Sequence, residues 1–84
     1  MILIKVIGAK YLKLFKVELE FSNGSIGQID LEKELWGEAF QPLLDQSYFA
    51  KFKLIHGTLT WPNGADFAPE FLYELAVNKN AITV

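Results

Sequence analysis

The sequence predicts one small α+β domain: an antiparallel sheet of about five strands, a C-terminal helix packed on one face, and one or two short helical segments. Three observations carry this. Asn23-Gly24 and His56-Gly57 each stand between β-prone runs and mark two hairpins. Thr58-Leu59-Thr60-Trp61 alternates with period 2 and then meets Pro62-Asn63-Gly64, a strand running into a tight turn. Beyond it, Phe67, Ala68, Phe71, Leu72, Leu75 and Ala76 recur at helical spacing. The 84 residues are 51% apolar and include seven Phe, three Tyr and two Trp, enough to fill one core. A single domain over residues 1–84 is expected.

In chain order, Ile2 to Ile7 reads as an interior strand, because its apolar residues occupy both phases. Gly8-Ala9-Lys10 reads as a connection. From Phe15 the alternation is clean: Phe15, Val17, Leu19 and Phe21 share one face, and Lys16, Glu18 and Glu20 the other. Leu12 and Leu14 fall out of phase, so a bend or bulge is expected near Lys13–Leu14. With Asn23-Gly24 as a two-residue loop, Phe21 pairs with Ile26, and strict pairing turns Ile29 and Leu31 outward. One extra residue at Gly27-Gln28 repairs this by setting Ile29 opposite Leu19 and Leu31 opposite Val17, which predicts a bulge at Gly27.

Asp30 can cap a short helix through Leu31–Trp36, ended by Gly37. Phe40 to Leu44 reads as a loop whose Phe and Leu plug the core, and Asp45 as the cap of another turn or two through Phe49 or Phe52. Lys53-Leu54-Ile55 and Thr58–Trp61 form the second hairpin. Asp66 is placed to cap the last helix, with Pro69 in its first turn and a helical end near Leu75. A β-prone tail, Ala81–Val84, could add to the sheet of a second copy and give a homodimer.

Charge and composition narrow the function classes. There is no Cys, so neither a disulfide framework nor a thiolate site is available, which fits a cytoplasmic setting. No apolar run approaches the roughly 18 residues of a membrane span. All eight basic residues are Lys, and the net charge is −2. Without Arg, the usual bidentate reader of phosphate and guanine, direct nucleic-acid binding is not expected. Lys5, Lys10, Lys13 and Lys16 read as lysines protecting a sheet edge.

Candidate chemistry is sparse. His56, the sole histidine, stands where a turn needs φ > 0, and a turn role outweighs catalysis. No second His or Cys exists to build a metal site, so no metal, cofactor or catalytic residue is assigned. The one constellation is acidic. On a helical wheel Asp66, Glu70 and Glu74 form a row opposite the apolar arc, with Tyr73 beside them. A solvated face with a capping Asp is the plain reading. A second is a carboxylate–amide cluster of Asn63, Asp66 and Glu70 serving a small enzyme or a ligand site. A third is a contact face for a basic protein, with Tyr73, Glu70 and Glu74 as partner-binding residues.

Asp30-Leu31, Phe40-Gln41-Pro42-Leu43, Asp45, Phe49, Leu72-Tyr73 and, above all, Trp61-Pro62-Asn63-Gly64-Ala65-Asp66 with Pro69 resemble the bacterial domain-of-unknown-function 2442 family. The resemblance spans about Ile4 to Glu74. It implies a small α+β domain without established catalytic residues. It also implies genes set beside members of the domain-of-unknown-function 4160 family, a pairing proposed to be antitoxin and toxin. Some members resemble fusions with a C-terminal helix-turn-helix, which does not follow in these 84 residues, so operator binding is not expected. The resulting expectation is a non-catalytic, antitoxin-like module with a toxin-like, basic protein partner. Trp61, Pro62, Asn63, Gly64, Asp66 and Pro69 are its structural motif.

Overall fold

The computed structural model describes residues 3–78. Its element order is β1 (Val6–Lys13), β2 (Lys16–Phe21), β3 (Ile26–Asp30), two 3₁₀ segments (Glu32–Glu34 and Glu38–Leu44), α1 (Gln46–Phe49), β4 (Lys53–Ile55), β5 (Thr58–Thr60) and α2 (Pro69–Asn78). The expected α+β class holds. The five strands, however, form two antiparallel sheets rather than one: β1-β2-β3 and β4-β5. The second hairpin has only three residues per strand. Its backbone meets the first sheet where Val6 N–H donates to the Gly57 carbonyl at 2.9 Å, and Leu59 of β5 is buried in the core while Leu54 and Ile55 of β4 stay exposed.

The first strand lies later than alternation implied. β1 runs through Gly8-Ala9-Lys10, and the connection falls at Leu14-Phe15, where Leu14 takes φ +50°. The irregularity expected near Lys13–Leu14 is therefore the end of a hairpin, with a register shift between Tyr11 and Lys13. The part of that reading that falls on Ile2 lies outside the described residues.

The β2–β3 register corrects the Gly27 bulge. Val17 pairs with Ile29, Leu19 with Gly27 and Glu20 with Ile26, and the ladder has no interruption at Gly27. The extra residue is real but sits in the turn. Phe21 N–H donates to the Ser25 carbonyl (2.8 Å) and Gly24 N–H to the Phe21 carbonyl (2.9 Å), closing a three-residue loop with Gly24 at φ +89°. That third residue restores the phase, so Ile29 and Leu31 turn inward opposite Val17 and Phe15. Gly27 is small for another reason: a Cβ there would lie 3.0 Å from the Cβ of Ala76 on α2. It marks the closest approach of helix to sheet.

The same turn recurs after β5. Trp61 N–H donates to the Ala65 carbonyl (2.9 Å), Gly64 N–H to the Trp61 carbonyl (2.9 Å), and Gly64 stands at φ +88°. In both turns the Asn Oδ1 accepts a backbone N–H two residues on, Ser25 at 3.0 Å and Ala65 at 3.1 Å. Phe-Ser-Asn-Gly-Ser and Trp-Pro-Asn-Gly-Ala are thus two copies of one device: an aromatic anchor, an Asn that closes the loop, and a Gly for the left-handed position.

The core joins both sheets to α2. Val17, Leu19, Phe21, Leu31, Leu43, Phe49, Leu59 and Leu72 are fully buried, and Trp61 is 2% exposed. Trp61 donates its indole N–H to the Phe49 carbonyl at 2.7 Å and packs against the Phe49, Phe52 and Phe67 rings. Thr58 is buried, and its hydroxyl donates to the Phe67 carbonyl. α2 begins at Pro69, as a first-turn proline allows, and runs beyond the expected Leu75 to Asn78.

Candidate functional site

The helical segment expected over Leu31–Trp36 is shorter, a 3₁₀ turn at Glu32–Glu34, with the Asp30 carboxylate accepting from Glu32 N–H at 2.9 Å. Leu31 and Leu35 both point inward. The chain then passes Trp36 to Gly37, which holds φ +93°, and starts the second 3₁₀ segment. That segment was expected to be a loop. Its Leu43 fills the core, while Leu44 is half exposed. The Asp45 cap stands where it was expected, accepting from Ser47 N–H at 2.9 Å. Caught between Leu35 and Gly37, Trp36 is directed outward and is 76% exposed.

Phe40 anchors the second 3₁₀ segment. Its ring stacks on Phe67 with centroids 4.8 Å apart and planes 21° apart, and Phe67 stacks on Phe71 of α2 at 5.8 Å and 22°. Asn63 ties the same region down: beyond closing its own turn, its Nδ2 donates to the Ala39 carbonyl at 2.9 Å. The result is an open depression of about 390 Å³ between the two 3₁₀ segments and the start of α2. Its walls are aromatic (Trp36, Phe40, Phe71), and Glu34 and Asp66 stand on its rim.

The acidic row read from the sequence is redistributed. Asp66 precedes α2 by three residues and pairs as an isolated bridge with Thr60, so it does not cap the helix. Four residues, Ala65 to Ala68, separate Gly64 from the helix start at Pro69, and the Asp66 carboxylate stands at the rim of the depression. Glu70 and Glu74 remain one turn apart on α2, both exposed. Tyr73, expected to be free, is half buried. Its ring packs edge-to-face on Phe21 at 5.1 Å, and its hydroxyl accepts from Asn23 Nδ2 at 3.1 Å. It braces α2 against the first Asn-Gly turn. His56 sits at φ +54° in the β4–β5 turn, exposed, as the turn reading required.

The cluster of Asn63, Asp66 and Glu70 does not present a free amide. Both ends of the Asn63 side chain are held by backbone groups. Among the described residues no three His, Asp or Glu side chains gather as a metal-ligand group, and no helix is long and apolar enough to cross a membrane. The aromatic depression is the feature that the wheel did not reveal. The available signal was Trp36 itself, adjacent to inward-facing Leu35 and to a Gly, and therefore unable to share the Leu31–Leu35 face.

Comparison with known proteins places the fold. The chain superposes on the crystal structure of a Nitrosomonas europaea protein provisionally described as DNA-binding, with a TM-score of 0.79 and 20% sequence identity over 93% of this chain and 52% of that one. The present chain thus spans about half the length of that neighbour. No curated protein matches the sequence. The profile of the family described as "Protein of unknown function (DUF2442)" matches residues 6–78, so the chain belongs to the domain-of-unknown-function 2442 family.

Proposed function

We propose that this domain is a non-catalytic protein-binding module, the antitoxin-like member of a bacterial pair, working in the cytoplasm on a basic, toxin-like partner. One observation carries the reading: an indole 76% exposed on an aromatic depression whose rim is acidic. Aromatic residues in such settings are the usual anchors of protein interfaces. The aromatic anchor thereby moves from Tyr73, which is engaged with Phe21 and Asn23, to Trp36. Glu70 and Glu74 keep the part of flanking charges that steer a basic partner towards the face.

The test is co-expression with the product of the adjacent gene, pull-down, and repetition with Trp36→Ala. A complex that weakens with Trp36→Ala supports the reading; absence of any complex with the unaltered chain removes it. DNA binding is the competing reading, drawn from the description of the Nitrosomonas protein. A mobility shift of duplex DNA at low salt, lost when Lys10, Lys13 and Lys16 are replaced by Gln, would favour it over the present one.

A further inference from the structure

Resting on the protein-binding reading, we propose that the Trp36 depression is an arginine pocket: it takes an arginine side chain of the partner, its guanidinium lying on the indole and paired with a rim carboxylate. Three features select this occupant. The indole face is open, whereas the other tryptophan, Trp61, is 2% exposed with its N–H held by the Phe49 carbonyl. The stacked column Phe40–Phe67–Phe71 fixes a flat apolar floor beside it, suited to the methylenes of a long cationic side chain. Glu34 and Asp66 stand at the rim, and among the described residues neither carboxylate has a hydrogen-bond or ion-pair partner.

A planar cation that stacks on an aromatic ring and bonds a carboxylate in a fork meets all three demands, and arginine does both. Lysine offers a compact, strongly hydrated charge without the plane. The surrounding field points the same way. The segments Asp30–Asp45 and Asp66–Glu74, joined by the stack of Phe40 on Phe67, hold eight of the ten acidic residues and one lysine, Lys33. A second copy of the chain cannot supply the guanidinium, because the sequence contains no arginine. The occupant comes from a different protein.

The experiment uses the ¹⁵N-labelled full chain, titrated with a hexa-arginine peptide and, separately, with hexalysine at matched ionic strength. The Trp61 indole N–H serves as the internal control. Expected is movement of the Trp36 indole N–H and the Asp66 amide, a still Trp61 signal, and about three- to five-fold weaker binding of hexalysine. Trp36→Ala and Asp66→Asn should each erase the preference for arginine. Equal binding of the two peptides, shifts centred elsewhere, or a Trp36 signal that moves on dilution without peptide (a second copy on the site) would overturn the proposal. The two readings separate cleanly. A pulled-down partner that binds Trp36→Ala and Asp66→Asn undiminished removes the arginine pocket and leaves protein binding standing. An arginine-selective shift at Trp36 with no partner captured supports the pocket and removes the paired-gene reading.

Discussion

The two tryptophans show how position decides what a residue is for. Trp61 is enclosed by Phe49, Phe52 and Phe67 and hydrogen-bonded to the Phe49 carbonyl, so Trp61→Ala opens a cavity and frees a carbonyl together. A loss of about 3–5 kcal/mol is expected in a urea titration, against a change within about 0.5 kcal/mol for Trp36→Ala. The same contrast separates Asn63 from Asp66. Asn63→Ala removes two hydrogen bonds to backbone groups, each worth about 1 kcal/mol net, and should lower the melting temperature. Asp66→Ala removes a carboxylate that caps nothing, and its melting curve should stay close to that of the unaltered chain. A clear drop for Asp66→Ala would return that residue to a capping role. Tyr73→Ala, by contrast, should act on stability first, because the ring rests on Phe21 and its hydroxyl on Asn23.

At the scale of elements, α2 is fitted tightly to the sheet where Ala76 lies over Gly27. Gly27→Ala should lift the helix or force a shift of a few tenths of an ångström. Ala76→Gly makes room for the added methyl but weakens the helix by about 1 kcal/mol. A double-mutant cycle should therefore show favourable coupling of about 0.5 kcal/mol or more between the two; additive effects would place the tight contact elsewhere. How far elements were legible follows from what specifies each. The hairpins at Asn23-Gly24 and His56-Gly57, the Asp45 cap and the last helix rest on local signals, namely turn chemistry and periodicity, and were readable. The β1–β2 turn at Leu14-Phe15, by contrast, was read only as a bend or bulge. The phase of β3 was not, because an Asn-Gly pair fits both a two-residue loop and a three-residue loop. The choice between them was made by the burial of Ile29 and Leu31, a tertiary demand. The far end of β1 was misread for a similar reason: Gly8 and Ala9 look like punctuation, yet they pair with Glu20 and Leu19 across a ladder.

For the whole molecule, the local rules leave one face unused. Both sheets and α2 supply most of the core, and the stretch between β3 and α1 adds Leu31, Leu35 and Leu43 to it. Trp36 and Leu44 are left exposed, and Glu34 of that stretch stands beside Trp36 with Asp66. This explains why the site escaped the sequence: it is assembled from two segments about thirty residues apart, brought together by Phe40 on Phe67, and no periodicity within either segment reveals it. Its charge should govern encounter with a basic partner more than the lifetime of the complex. Glu70 and Glu74 lie on the same acidic helix, exposed, and their field reaches about 8–10 Å into solvent at physiological salt. Reversing both to Lys should lower the association rate by about ten-fold at low salt and flatten its dependence on ionic strength, leaving dissociation nearly unchanged. Trp36→Ala should do the opposite, speeding dissociation while sparing the salt slope. Stopped-flow measurement of the complex at low and high salt separates the two. An association rate indifferent to both charge reversals would mean that the partner approaches from another side.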